Sequence, residues 1–149
     1  MAVQRTLVLC KPDAVQRGLV GRILSRFEDK GLKVVGLKML QADEALAARH
    51  YEEHLEKDFY PDLCAFITAS PTVAIAVEGD NAVEVVRNLM GVTNPQKAGS
   101  GTIRGDFGLN LTMNLVHGSD SLVSAQRELA LFFGAGELHD YEMTMKAWT

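Results

Sequence analysis

The stretch Asn114-Leu115-Val116-His117-Gly118-Ser119-Asp120-Ser121 ends a short apolar run on a histidine and passes at once to the signals of a helix start. Gly118 allows the backbone to turn, and Ser119 or Ser121 is placed to cap the open amides of a first turn. Asp120 sets a carboxylate where the helix dipole is positive. An imidazole beside free helix-start amides suits the handling of phosphate. The same imidazole can also take a phosphoryl group covalently. The competing reading is a histidine that closes a strand and hydrogen-bonds its own turn.

Basic residues stand at turns and loops beside apolar segments: Lys11 after the first apolar run, Arg87 on a helix, and Arg104 in a long irregular segment. Taken singly, each reads as a solvated surface charge. Taken with the His117 turn, they suit a polyphosphate clamp, because guanidinium matches phosphate oxygens bidentately. No Gly-x-x-x-x-Gly-Lys-Ser/Thr loop occurs, and Gly99, Gly101 and Gly105 do not form a dinucleotide-binding fingerprint. His50-Tyr51-Glu52-Glu53-His54 matches His-x-x-Glu-His, the pattern of one zinc protease class. Two histidines four apart share a helix face, but no third ligand accompanies them and the surrounding Glu52, Glu53, Glu56 and Lys57 read as a solvated face.

The elements that must position these residues follow from periodicity. Thr6 to Cys10 is wholly apolar after its first residue and reads as a buried strand, ended by a turn at Lys11-Pro12-Asp13. Leu19, Val20, Ile23, Leu24 and Phe27 recur at helical spacing, and Gly31 closes that helix. Leu32 to Leu40 reads as a second strand. Asp43 caps a helix carrying Leu46, Ala47, His50 and Tyr51, and a short helix spans about Asp62 to Thr68. Thr72 to Val77 is a central strand, followed by a helix with Val83, Val86, Leu89 and Met90 facing inward. Gly91 to Asn110 has no sustained period, and a loop of that length in a compact domain points to function. A strand ending at His117 and a helix with Leu122, Val123, Leu129, Phe132 and Phe133 complete the order. The tail from Gly134 carries His139 as a surface residue, while Tyr141 and Trp148 suggest packing. The order predicts a ferredoxin-like βαββαβ antiparallel sheet, α+β in class, with helices on one face. A small doubly wound parallel sheet is the alternative.

A chain of 149 residues fits one domain, 1–149, with no repeats or linkers. A net charge of −4 argues against bulk electrostatic binding to nucleic acid or anionic membrane, so any anion site is a local basic cluster. The two cysteines, Cys10 and Cys64, suit a reducing cytoplasm rather than a disulfide scaffold. No stretch reads as a signal peptide or a membrane span.

The chain as a whole resembles the nucleoside diphosphate kinases. The resemblance lies in the octapeptide 114–121 followed by Ser124-Ala-Gln-Arg-Glu128, in Thr6-Leu-Val-Leu-Cys-Lys-Pro-Asp-Ala14, and in Arg26-Phe-Glu28. Thr93-Asn-Pro95 and Gly101-Thr-Ile-Arg-Gly-Asp-Phe107 extend it, in the family's order, over nearly all of residues 3 to 133. It implies reversible transfer of a terminal phosphoryl group between nucleoside tri- and diphosphates, ribo and deoxy, through a phosphohistidine, with Mg2+ on the nucleotide phosphates. His117 would be the nucleophile, Glu128 would hold its other ring nitrogen, and Ser119 would fix the geometry near both.

By motif position, Lys11, Tyr51, Arg87, Thr93 and Arg104 would contact the phosphates, with Lys11 and Asn114 also near the ribose. Phe59 would stack on the base, with Leu63 and Leu111 lining the same slot, and Asp120 would help position magnesium through water. Asp58, Tyr60 and Ser70-Pro71 depart from the family's common pattern near the nucleotide lid and a turn. The family's tails bear on subunit contacts, which implies a homo-oligomer, a hexamer first and a tetramer or dimer as alternatives. A non-catalytic nucleotide-binding or scaffold protein of the same fold is the other reading of the resemblance.

Overall fold

The computed structural model describes residues 2–149. Strand β1 (Val3–Cys10) runs between β3 (Thr72–Asp80) and β4 (Val116–Gly118), with β2 (Lys33–Leu40) beyond β3, in the order β2-β3-β1-β4. Every pairing is antiparallel, which sets aside the parallel alternative and matches the split βαβ arrangement expected. The helices are α1 (Pro12–Gln16), α2 (Val20–Asp29), α3 (Glu44–His50), α4 (Tyr60–Thr68), α5 (Ala82–Met90), α6 (Ile103–Phe107) and α7 (Leu122–Phe132). None is long and apolar enough to cross a membrane.

Helices cover both faces of the sheet, not one. Thr6 to Cys10 and Thr72 to Val77 are buried at every position, so the side chains on either face need an apolar cover. Val8, Cys10, Val73, Ile75 and Val77 pack with Ile23 and Phe27 of α2 and Val86 and Met90 of α5. Leu7, Leu9, Ala74 and Ala76 pack with Leu129 and Phe132 of α7. The expectation of one covered face fails because successive residues of an extended strand point opposite ways, and neither face here is polar.

Local capping follows the sequence closely. Asp43 accepts the Leu46 N–H at 2.8 Å, and Ser121 accepts the Ser124 N–H at 3.1 Å to open α7. Gly31 follows α2 with φ +101°, a conformation open to glycine. Lys11-Pro12-Asp13 does more than turn, since Pro12 is the first residue of α1. The irregular segment after Gly91 also holds more order than its lack of period suggests. It contains α6, capped by the Thr102 hydroxyl on the Gly105 N–H at 3.0 Å. Asp106 ties that helix down through the Gly101 N–H at 2.9 Å and Arg26 at 2.7 Å.

Gly118 does not make the turn assigned to it. It lies within β4, and a Cβ there would stand 2.5 Å from Met90 Sδ, so glycine accommodates the close approach of α5. The sharp reversal falls earlier, at Leu115, whose φ is +75°. In the tail, the His139 N–H donates to Val35 O at 2.8 Å and the Tyr141 hydroxyl donates to Val34 O, while Trp148 remains exposed.

A Cβ at Gly105 would fall 2.0 Å from the carbonyl oxygen of Gly99. Gly105→Ala should therefore lower the unfolding free energy by about 1–3 kcal/mol in urea denaturation, as overpacking does. A change below about 0.5 kcal/mol, typical of a neutral surface site, would show that the loop yields freely.

Candidate active site

His117 stands in the middle of β4, opposite Leu9. Val116 and Gly118 on either side point toward α5, so alternation sends the imidazole to the α7 face. Glu128 lies two turns into α7 on the stripe that also buries Ala125, Leu129 and Phe132. His117 Nε2 and Glu128 Oε1 are 2.7 Å apart, and the Ser119 hydroxyl donates to the same oxygen at 2.8 Å. Burial acts to raise the Glu128 pKa. The His117 hydrogen bond and charge, with the Ser119 hydroxyl, outweigh it and hold the carboxyl below its ordinary range. An ionised Glu128 accepts a proton-bearing Nε2, which leaves Nδ1 as the ring nitrogen with its lone pair available.

His50 closes α3 and packs edge-on to His117, with ring centroids 4.7 Å apart. Both its nitrogens are buried without a hydrogen-bond partner. Burial, then the neighbouring His117, push its pKa down to about 3, so it is neutral at ordinary pH. Tyr51 packs against His50 with ring centroids 4.5 Å apart and the planes tilted by 59°. Burial and then Glu128 push the Tyr51 phenol above its usual range, so it stays a donor.

Cations from other elements line the same cleft. Arg104 is buried, and its guanidinium donates to three backbone carbonyls: Nε to Asn114 O at 3.2 Å, Nη1 to Gly91 O at 3.0 Å and Nη2 to Val116 O at 2.7 Å. Two of its five N–H groups remain for a ligand. Burial, then Arg87, bring its pKa down to about 10, which leaves it charged. Lys11 Nζ donates to Asn114 Oδ1 at 2.8 Å, and the Asn114 amide donates to Thr93 O at 3.1 Å. Burial, then Arg104, lower the Lys11 pKa to about 8, while Asp13 opposes them. Arg87 donates to Gly118 O at 3.1 Å.

One cleft of about 280 Å³ is lined by Lys11, Tyr51, Arg87, Thr93, Arg104, Asn114, His117, Asp120 and Glu128 together. Ser119 is fully buried and reaches the cleft only through its hydrogen bond to Glu128. Phe59, Leu63 and Leu111 lie outside that lining; Phe59 is half exposed, with its ring 5.4 Å from His54. His50 and Arg127 line the cleft without having been read as part of the phosphate site. For His50 the signal was present, since it recurs with Leu46 and Ala47 on one helical face. The His-x-x-Glu-His pentapeptide is not one helix: α3 stops at His50, and Glu52–His54 is a separate short 3-10 turn.

The wider likeness of the chain agrees with this arrangement. The family model described as nucleoside diphosphate kinase matches residues 4–138. The nucleoside diphosphate kinase of Gloeobacter violaceus is 53% identical over 146 residues, 98% of each chain. That of Rhodopirellula baltica is 55% identical over 143 residues, covering 96% of this chain and 94% of its own. A halophilic nucleoside diphosphate kinase from Halobacterium salinarum, solved in complex with CDP, superposes with a TM-score of 0.96 at 50% identity, covering 99% of this chain and 98% of that one. A family protein from Babesia bovis gives 0.95 at 45% identity, over 97% and 98%. With fold, length and order of motifs in agreement over almost every residue, the chain belongs to the nucleoside diphosphate kinase family of nucleotide-binding phosphotransferases.

Proposed function

We propose that the protein moves the terminal phosphoryl group of a nucleoside triphosphate to a nucleoside diphosphate by a ping-pong route through a phosphohistidine at His117. The observation that carries this reading is the 2.7 Å contact of His117 Nε2 with an ionised Glu128, which turns Nδ1 into the reacting atom. In the first half-reaction Nδ1 attacks the terminal phosphorus. The P–N bond forms as the bridging P–O bond breaks, and the electron pair leaves with the nucleoside diphosphate. In the second, a terminal oxygen of another nucleoside diphosphate attacks phosphorus, and the P–N pair returns to Nδ1. Glu128 holds the Nε2 proton throughout and offsets the positive charge the ring gains while phosphorylated.

Lys11, Arg87 and the two spare N–H groups of Arg104 take the phosphate oxygens, with Thr93 and the neutral Tyr51 hydroxyl as further donors. Catalysis then rests on positioning and charge. Lys11 and Asn114 bear on the ribose. Phe59, with Leu63 and Leu111, receives the base; stacking reads a π-face, which suits every nucleobase. Asp120 is an exposed carboxylate on the cleft lining, and one carboxylate plus substrate phosphates is a donor set that suits Mg2+. The ion would neutralise phosphate charge when bound. A non-catalytic role would be favoured by the loss of one of these groups, and none is missing. The protein works as one domain over 1–149, in the cytoplasm, as a homo-oligomer, a hexamer before a tetramer or dimer.

Incubation with γ-labelled ATP should give a base-stable, acid-labile phosphoprotein that any nucleoside diphosphate discharges. A His117→Ala variant that still forms it would show that another residue is the nucleophile. Glu128→Ala should slow phosphoenzyme formation on the order of 10²-fold, the cost of a misdirected reacting group. An unchanged rate would remove Glu128 from the mechanism. Bound phosphate favours charged Lys11, whose pKa in the free protein is about 8. Affinity for a nucleoside diphosphate should thus fall as pH rises above that value, by no more than about tenfold per unit for one proton. Calorimetry at pH 9 in two buffers of different ionisation enthalpy should reveal proton uptake, and its absence would separate Lys11 from phosphate binding.

A further inference from the structure

Leu115 is a fully buried, non-glycine residue with φ +75°. The Val116 N–H donates back to Asn114 O at 2.9 Å, across a single intervening residue. A bond from residue i+2 to residue i, around a central φ near +75°, defines the strained form of the γ-turn, which is rare in proteins. Strain of this kind persists where surrounding groups over-determine it, and it gathers at functional sites.

The groups that hold it are Asp13, the Lys11 backbone and Arg104. The Leu115 N–H donates to Asp13 Oδ2 at 3.0 Å, and Leu115 O accepts the Lys11 N–H at 2.9 Å. Arg104 donates to the flanking carbonyls of Asn114 and Val116. Asp13 is the unusual member. It is buried, and its other oxygen, Oδ1, has no hydrogen-bond partner. Burying a carboxylate so incompletely satisfied is unfavourable, so its presence calls for a local return. The residue before this turn is Asn114, whose amide joins Lys11 to Thr93, and two residues after it comes His117. Because β4 has only three paired residues, the sheet alone constrains its start weakly.

We propose that Asp13 is a positioning residue: its carboxylate pins the Leu115 amide in the strained turn and so sets, from one point, both the Asn114 carboxamide and the strand that presents His117. This rests on the proposed phosphotransfer reading of the site. Neither a substrate contact nor a proton transfer is assigned to Asp13.

The test compares the full-length protein with Asp13→Asn, Asp13→Ala and Asp13→Glu. Each is assayed by single-turnover phosphorylation from saturating γ-labelled ATP, after circular dichroism has shown that it is folded. The Leu115 three-bond HN–Hα coupling is measured by NMR on the same samples. Asp13→Asn keeps an oxygen for the Leu115 N–H and should stay within about fivefold of wild type. Asp13→Ala should fall on the order of 10²-fold, with a changed Leu115 coupling, because a misplacement of about 1 Å is that costly. A residue of purely structural value would lower the melting temperature and leave the rate of the folded molecule unchanged. A folded Asp13→Ala at the wild-type rate, or an Asp13→Asn as slow as Asp13→Ala, overturns the inference. Should Asp13→Ala not fold, Asp13→Glu decides: its carboxylate is displaced by one methylene, and a wild-type rate and coupling would overturn it. A wild-type protein that forms no phosphoenzyme defeats the proposed function instead. The Leu115 coupling then still decides whether Asp13 holds the turn.

Discussion

Three residues of antiparallel pairing, Val8 with Gly118, Leu9 with His117 and Cys10 with Val116, are the constraint on which the site depends. They bind a very short strand to β1, one of the two central strands of the sheet. Their alternation sends Val116 inward beside α5 and His117 to the opposite face, where Glu128 waits on α7. Gly118 completes the constraint, because a Cβ there would stand 2.5 Å from Met90 Sδ and force the packing of α5 to shift. The apolar packing on both faces therefore does more than stabilise the domain. It fixes the distance between an imidazole and a carboxylate that belong to different elements.

Charge is handled locally in a protein whose overall balance is negative. Arg104 is kept charged inside the fold because three backbone carbonyls replace the water it gave up. Glu128 is kept ionised by His117 and Ser119, against the cost of its burial. His50, pressed against His117 with no partner for either nitrogen, meets the same pressure by remaining neutral. A neutral ring beside His117 adds bulk without adding a competing charge. The result is a cleft in which cations from several elements and an imidazole oriented by a carboxylate share one lining.

Much of this was legible from residue order. Ser121 and Asp43 cap as their types predict, and Gly31 ends α2. The Lys11, Arg87, Arg104 and His117 grouping, inferred from residues spread along the chain, proves to be one cleft. Other readings failed for identifiable reasons. The two-sided cover of the sheet was missed although Thr6 to Cys10 is buried throughout, because an unbroken apolar run reports burial but not what buries it. The turn was assigned to Gly118, the residue with most conformational freedom, whereas Asp13, Lys11 and Arg104 impose it on Leu115. His-x-x-Glu-His looked helical because spacing assumes the helix continues, and α3 ends at its first histidine.

By itself, then, the sequence determined the longer elements, the caps at Asp43 and Ser121 and the chemical types available, since periodicity and capping act over a few neighbouring residues, whereas the short helices α1 and α6 carried too little period to read. Which ring nitrogen of His117 is held, which carbonyls saturate Arg104 and which carboxylate pins Leu115 were decided only in three dimensions. Those partners are distant along the chain, as Asp13 and Leu115 are at a separation of 102 residues. No local rule relates them. The pairing of β4 with β1, and the packing of α5 and α7 on opposite faces of that sheet, bring them within hydrogen-bonding reach.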